Sequence, residues 1–285
     1  MTADPSVPVI FFQDGLVPAD EAPLSPFDRG LQVGDGVFET LLAYRGEPFA
    51  AAEHHARLVR SAGVMGLRVP AEKTILEAMR EVLVANGLHL RDRARLRVTV
   101  TGGPGAIGSG RDELTETLLV AASEAPRHGP ESDVLVVPWT RNEKGALAGV
   151  KSVSYGENVV ALALAKKHGA DEAILGNTAG NLCEGTGSNV FVRRGDTLVT
   201  PPLSSGCLDG ITRAIAIDCA RAAGIACVEE DLPLEVLTQA DAVFLTSTTR
   251  EIQPVRSVNG EPSPQAPEWL EAWRREFAKR LPVVS

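Results

Sequence analysis

Apolar residues along this chain change their period several times, and each change marks an element. Val9-Ile-Phe-Phe12 before Asp14-Gly15 predicts a strand running into a tight hairpin. Residues 16–28 are rich in proline and predict irregular chain. Residues 34–44 predict a long strand ending at the turn Arg45-Gly46. Leu58, Ala62 and Met65 then recur at helical spacing over 51–65, with Arg57 off that stripe. A second helix over 71–86 lines up Ile75, Leu76, Met79, Val82 and Leu83 and stops at Gly87. Arg95, Arg97, Thr99 and Thr101 alternate with Leu96, Val98 and Val100, which predicts a half-buried strand with its arginines on one face. A loop over 102–110 holds five glycines and ends at Arg111, and 118–122 is another strand.

Residues 123–133 contain two prolines, a glycine and no apolar residue larger than alanine. That composition predicts a linker between a small domain (1–122) and a larger one (134–285). Beyond it lie a strand over 134–138 and a helix over 155–168. A β-meander is expected through 173–175, 182–184, 189–193 and 198–200. A helix over 211–223 closes at Gly224, followed by a strand over 227–230, a short helix over 234–239 and a buried strand over 242–248. Near the end, Trp269, Trp273, Phe277 and Leu281 stand four apart, the mark of a helix docking one apolar face. Sheet-rich halves with flanking helices give an α+β architecture.

Composition narrows the function. The 285 residues are 44% apolar and 23% charged, ordinary for a soluble globular protein with room for two modest domains. No apolar run reaches the roughly 20 residues of a membrane helix. The start Met-Thr-Ala-Asp-Pro is neither basic nor followed by a long apolar segment, so no export signal is expected and the chain reads as cytoplasmic. A net charge of −9 argues against nucleic acid as a partner. Cys183, Cys207, Cys219 and Cys227 are 24, 12 and 8 residues apart with no histidine at zinc-ligand spacing, so they read as buried free thiols and no metal is expected.

Three segments carry candidate chemistry. Lys151-Ser-Val-Ser-Tyr155 follows an apolar stretch, and Lys151 is one of only six lysines. An amine taken out of water there gives up its proton more readily and becomes a nucleophile toward an aldehyde. Asn181-Leu-Cys-Glu184-Gly-Thr-Gly-Ser188-Asn189 places an acid on a strand among uncharged neighbours. Gly206-Cys-Leu208-Asp-Gly210-Ile211-Thr212-Arg213 opens a helix, where backbone N–H groups favour an anion. An amine, a carboxylate and a phosphate-sized anion pocket together suit pyridoxal phosphate. His54 and His55 read as surface residues without a chemical role.

In this order, from Asp28-Arg-Gly30 to Thr246-Ser-Thr-Thr249, the motifs resemble the fold type IV pyridoxal-phosphate enzymes. That family includes D-amino-acid and branched-chain aminotransferases and aminodeoxychorismate lyase. The resemblance implies a two-domain fold with Lys151 as the Schiff-base lysine and Glu184 at the ring nitrogen. It implies Tyr155 at the ring hydroxyl and Leu208 on the ring face. Ile211, Thr212, Thr248 and Arg57 fall on phosphate contacts, and Ser188 joins them around the cofactor. It also implies a homodimer acting on an amino acid and a 2-oxo acid.

The substrate positions depart from the family. Where the best-known D-amino-acid enzymes carry a Tyr and an Arg that trap the carboxylate, this chain has Leu31 and Val100 or Thr101. Where branched-chain enzymes have Phe-Glu-Gly-x-Arg, it reads Phe38-Glu-Thr-Leu-Leu42. Arg97, and after it Arg111, are the candidate substitutes. The segment Thr246-Ser-Thr-Thr-Arg-Glu-Ile-Gln-Pro254 is nearer the D-amino-acid version, which favours D-amino acids slightly. Aminodeoxychorismate lyase and branched-chain aminotransferase are the alternatives, and a cofactor-binding protein without activity is the reading from another class.

Overall fold

The computed structural model of the chain describes residues 7–111 and 115–282. The five N-terminal residues read for an export signal lie outside them. Two compact units form. One comprises the described residues up to Pro126 with Val150–Ser154 and Pro282, and the other comprises Arg127–Gly149 and Tyr155–Leu281. Irregular chain between them is shorter than the composition suggests, because one strand runs on to Glu124 and the next begins at Ser132.

Among the described residues the first unit has one antiparallel sheet of β1 (Val9–Phe12), β2 (Gly15–Pro18), β3 (Gly36–Tyr44), β4 (Glu47–Pro48), β5 (Ala94–Thr101) and β6 (Thr117–Glu124). Their order across the sheet is β2-β1-β6-β5-β3-β4. The hairpin expected at Asp14-Gly15 forms, and its second strand occupies residues predicted to be irregular. A short helix α1 (Arg29–Val33) was not expected. It has no apolar period and is set by its ends, with Asp28 Oδ1 accepting from Gly30 N at 2.8 Å and Gly34 in the left-handed region.

The period-2 pattern of β5 and the helical stripes meet in one core. Leu58 and Ala62 of α2 (Ala51–Val64) and Ile75, Met79 and Leu83 of α3 (Glu72–Ala85) pack with Val37, Leu41, Leu96, Val98 and Val120. The other face of β5 leaves Arg95 and Arg97 exposed, as the alternation predicts. Lys151 and its neighbours join this unit because their backbone pairs with the start of β3, which sequence distance could not show.

In the second unit the strands are β7 (Ser132–Arg141), β8 (Glu172–Asn177), β9 (Leu182–Gly185), β10 (Asn189–Arg194), β11 (Thr197–Thr200), β12 (Ala226–Glu229), β13 (Ala242–Ser247), β14 (Glu251–Val258) and β15 (Glu261–Pro262). They run β12-β11-β10-β13-β14-β7-β8-β9, with β15 on β14. The expected meander is therefore broken. Among the described residues β9 pairs with β8, whereas β10 pairs with β11 and β13. The turn after Glu184 carries the chain away instead of into a hairpin.

Helices α4 (Gly156–Lys167), α5 (Ile211–Ala222), α6 (Val236–Gln239) and α7 (Pro267–Ala278) complete this unit. The tryptophan stripe is divided. Trp273 is fully buried, edge-on to Phe191 and Phe244, and donates from Nε1 to the Ala216 carbonyl at 2.7 Å. Trp269 is only half-buried and lies under the Arg193 guanidinium. All four cysteines are buried and free. Among the described residues no helix is long and apolar enough to cross a membrane, and no group of three His, Cys, Asp or Glu is placed to hold a metal.

Candidate active site

Main-chain bonds hold Lys151 against β3. Its carbonyl accepts from Phe38 N at 3.0 Å, Val153 N donates to the Gly36 carbonyl at 2.9 Å, and its own N–H reaches Ser61 Oγ at 3.3 Å. Gly34 makes this approach possible. Its φ is +69°, and a Cβ there would stand 2.1 Å from Ser154 Oγ. The Lys151 ammonium nitrogen lies 4.5 Å from the centre of the Phe38 ring, and the Arg97 guanidinium carbon lies 3.8 Å from the same centre. Register explains the second contact: Phe38 pairs with Thr99 and Thr40 with Arg97, so ring and guanidinium share a face of the sheet.

Glu39 points to the opposite face, under α2. It is buried and accepts from Arg57 Nε on Oε1 and from Arg57 Nη2 on Oε2, both at 2.7 Å. His54 Nδ1 meets Oε2 at 2.7 Å as well. His54 and Arg57 are three apart on α2 and so share a face. Burial alone would raise the Glu39 carboxyl, but the Arg57 and His54 hydrogen bonds outweigh it and hold it down to about 2. Burial pushes His54 below its usual value, and the Arg57 and Lys151 charges add to this against the pull of Glu39. The imidazole is therefore neutral at neutral pH, and its Nδ1 carries the proton because an ionised Glu39 can only accept.

The reading of the two histidines of α2 is thereby corrected, and the burial of Arg57 is explained. Arg57 lies off the apolar stripe, yet it is 4% exposed because Glu39 receives it. His54 is also buried, and His55 Nε2 lies 2.9 Å from the Pro70 carbonyl, so neither is a free surface residue. Glu39 itself was missed, since one acid inside an apolar strand gives no periodic signal. Arg111 has partners that its sequence position did not show. Its fork closes on Asp35 and its Nη1 donates to the Met65 carbonyl, while Arg29 binds Asp35 from the other side at 2.9 Å. The Arg111 guanidinium is thus held by Asp35 and the Met65 carbonyl.

The second unit holds the other predicted residues. Glu184, on β9 and 9% exposed, accepts from Leu208 N at 2.9 Å. Its Oε1 stands 3.2 Å from Arg141 Nε, an ion pair without an aligned hydrogen bond. Arg141 also donates to Asn158 Oδ1 at 3.2 Å. The Leu208 carbonyl accepts from Asn189 Nδ2 at 2.9 Å, and Asn189 packs on Gly210, where an added Cβ would stand 2.0 Å from Asn189 Oδ1. A side chain at that point, immediately before the helix, would force Asn189 to move.

Ile211 and Thr212 open the 12-residue α5 and are buried; its N-cap, Gly210, supplies no side-chain hydrogen bond. On β13, Thr246 is paired with Asn189, and its hydroxyl is buried with no hydrogen-bond partner. Thr248 follows just after that strand and Tyr155 just before α4, both half-buried. Ser188 is placed differently: its hydroxyl donates to the buried Glu172 at 3.2 Å, and Thr186 donates to the same carboxylate. Glu172 and Arg141 were not foreseen, because each acts only through a partner remote in sequence.

Each unit, taken by itself, holds groups of the kind pyridoxal phosphate needs. Lys151 is a single amine fixed by its backbone, Glu184 is a buried carboxylate held by one N–H and one guanidinium, and the first turn of α5 is without a side-chain cap. Such an uncapped helix start offers N–H groups to an anion, and the orphaned Thr246 hydroxyl is a polar group of the kind a bound ligand satisfies.

The model of the amino-transferase class IV family matches residues 36–258. A Methanocaldococcus jannaschii protein, named provisionally as a branched-chain-amino-acid aminotransferase, is 36% identical over 256 residues, 88% of each chain. A D-alanine aminotransferase of Listeria innocua is 33% identical over 260 residues, again 88% of each. The solved branched-chain aminotransferase of Thermoproteus uzoniensis with norvaline superposes with a TM-score of 0.88 at 29% identity, covering 96% of this chain and 95% of that one. This chain belongs to the class IV amino-transferases, enzymes that depend on pyridoxal phosphate.

Proposed function

We propose that the chain moves an amino group between an amino acid and a 2-oxo acid, with Lys151 as the Schiff-base lysine and Arg97 as the receiver of the substrate carboxylate. The observation that carries this is the shared ring: Lys151 and Arg97 both stand over Phe38 within one unit. A substrate carboxylate entering a partly desolvated site costs several kcal/mol unless a cation meets it, and the guanidinium fork is the efficient partner. The cofactor, when bound, supplies the electron sink for the substrate's α-carbon. Lys151 brings the amine that accepts and returns the α-proton, and Glu184 holds positive charge at the ring nitrogen. Ile211, Thr212, Thr248 and Arg57 hold the phosphate, Tyr155 meets the ring hydroxyl, Leu208 covers the ring face, and Ser188 steadies the turn after Glu184.

D-amino acids are the first class of donor proposed, on the strength of the 246–254 segment and the similarity to Listeria D-alanine aminotransferase. Branched-chain L-amino acids are the second, favoured by the similarity to the Methanocaldococcus protein and by the apolar Phe38 ring beside the amine. The enzyme is proposed to work as a homodimer in the cytoplasm. A panel of D-alanine, L-leucine and L-isoleucine with 2-oxoglutarate tests the reading. Glutamate formed from D-alanine alone supports the first, and glutamate from the L-donors the second. Inertness with every amino acid, together with pyruvate release from aminodeoxychorismate, would replace transamination by the lyase reaction.

A further inference from the structure

We propose that Glu172 is a positioning residue for Glu184: it ties down the turn at 185–188, and through that turn it sets where the Glu184 carboxylate stands against the cofactor's ring nitrogen. This role rests on the reading of Glu184 as the acid at that nitrogen and adds a residue behind it. Glu172 opens β8, is 3% exposed and takes no part in the proposed transfer itself. Both of its oxygens are engaged by the turn. Oε1 accepts from Thr186 N at 3.1 Å and from the Thr186 hydroxyl, and Oε2 accepts from Ser188 Oγ at 3.2 Å. The turn is also shaped to that carboxylate. Gly185 N donates to the Ser188 carbonyl at 2.7 Å, and a Cβ on Gly185 would stand 3.2 Å from Glu172 Cγ and Cδ.

Both supports of Glu184 pass through this turn. Its two ends meet on one residue: Leu208 N donates to Glu184 Oε2 at 2.9 Å, and the Leu208 carbonyl accepts from Asn189 Nδ2 at 2.9 Å. The span between Glu184 and Asn189 must therefore match Leu208, and the turn sets that span. On the other side the Thr186 carbonyl accepts from Asn158 Nδ2 at 2.6 Å, and Asn158 Oδ1 accepts from Arg141, whose Nε lies 3.2 Å from Glu184 Oε1. Releasing Thr186 and Ser188 loosens the Leu208 side and the Arg141 side together. The only cation paired with Glu172 among the described residues, Arg250, stands 3.7 Å away and also bonds Ser132, Gln253 and the Asp171 carbonyl, so it is held without Glu172. The charge of Glu172 could also act on the ring nitrogen as a field. Thr186→Val separates the two effects, because it keeps that charge and removes one of the bonds that hold the turn.

The test uses the full-length chain loaded with pyridoxal phosphate that carries nitrogen-15 in its ring. The ring-nitrogen NMR signal shows whether that atom holds a proton, and it is followed against pH beside thermal melts. Glu172→Gln keeps the shape but makes its bonds to the turn neutral, at roughly half the strength. The ring nitrogen should then lose its proton at a pH about one unit lower, a fall of about tenfold in proton affinity, the scale of one hydrogen bond to a charged group. Thr186→Val should move it in the same direction by a smaller step. Lower melting temperatures with an unmoved ring nitrogen would make Glu172 a structural residue and overturn the proposal. A shift in Glu172→Gln with none in Thr186→Val would assign the effect to charge, and overturn it equally. If Glu172→Gln does not fold, Thr186→Val decides alone, its shift supporting the proposal and its silence refuting it. Glu184→Gln separates the premise from the inference. An unmoved ring nitrogen there removes Glu184 from that atom altogether, whereas a shift there with none in the other two variants refutes the positioning role alone.

Discussion

The Glu39 carboxylate and the Arg57 guanidinium lie edge to edge, with two bonds of 2.7 Å between them, 18 residues apart in sequence and buried under α2. A pair of this kind makes acid stability a property of the active-site unit.

Glu39 titrates near 2 in the folded chain against an ordinary value of 4.5. Its contribution to stability is present above pH 4.5 and is lost as pH falls through about 2. His54 is also lowered from its usual 6.5, so the unfolded chain takes up that proton first and stability begins to fall below that pH. Urea unfolding of the first unit, followed at decreasing pH, should show a decline beginning near 6.5 and steepening below 4.5. His54→Gln should remove the first part of the decline. A flat profile from neutrality to pH 4.5 would contradict the buried neutral imidazole.

Replacing Glu184 with Gln keeps an oxygen for the Leu208 N–H but removes the charge that faces Arg141. The cofactor should remain bound, since its phosphate is proposed to rest on α5. Turnover should fall about 100-fold or more, the usual scale for losing such an electrostatic group. Unchanged turnover in stopped assays of the loaded variant would show that the acid lies elsewhere.

Much of the fold was legible because it was written in periods. The alternation over 95–101 and the stripes of α2 and α3 correspond directly to β5 and the helices that cover it. What stayed hidden was whatever depends on a partner remote in the chain. Glu39 interrupts an apolar strand and looks like noise until Arg57 and His54 arrive from α2. Arg111 looked available until Asp35 closed on it, and β9 and β10 looked like neighbours until β13 took the place beside β10. Nothing in the sequence distance ties Lys151 to the start of β3, where its backbone lies.

Arg97 to Lys keeps a positive charge over Phe38 but loses the planar fork. The Michaelis constant for amino-acid donors should rise at least about tenfold, the cost of a lost charge-assisted bond. Reaction with a primary amine lacking a carboxylate should be almost unaffected. An equal loss for both donors would mean that Arg97 serves the packing of Phe38 instead, and Arg111 would be the next residue to vary.

The most direct test concerns Lys151. The loaded protein is reduced with borohydride, which fixes the cofactor to the amine that holds it, and the digest is mapped by mass spectrometry. The cofactor mass should appear on the peptide containing Lys151 and on no other. Label on Lys144 or Lys166, or no label on any lysine of an active preparation, would contradict the assignment on which the proposed transamination rests.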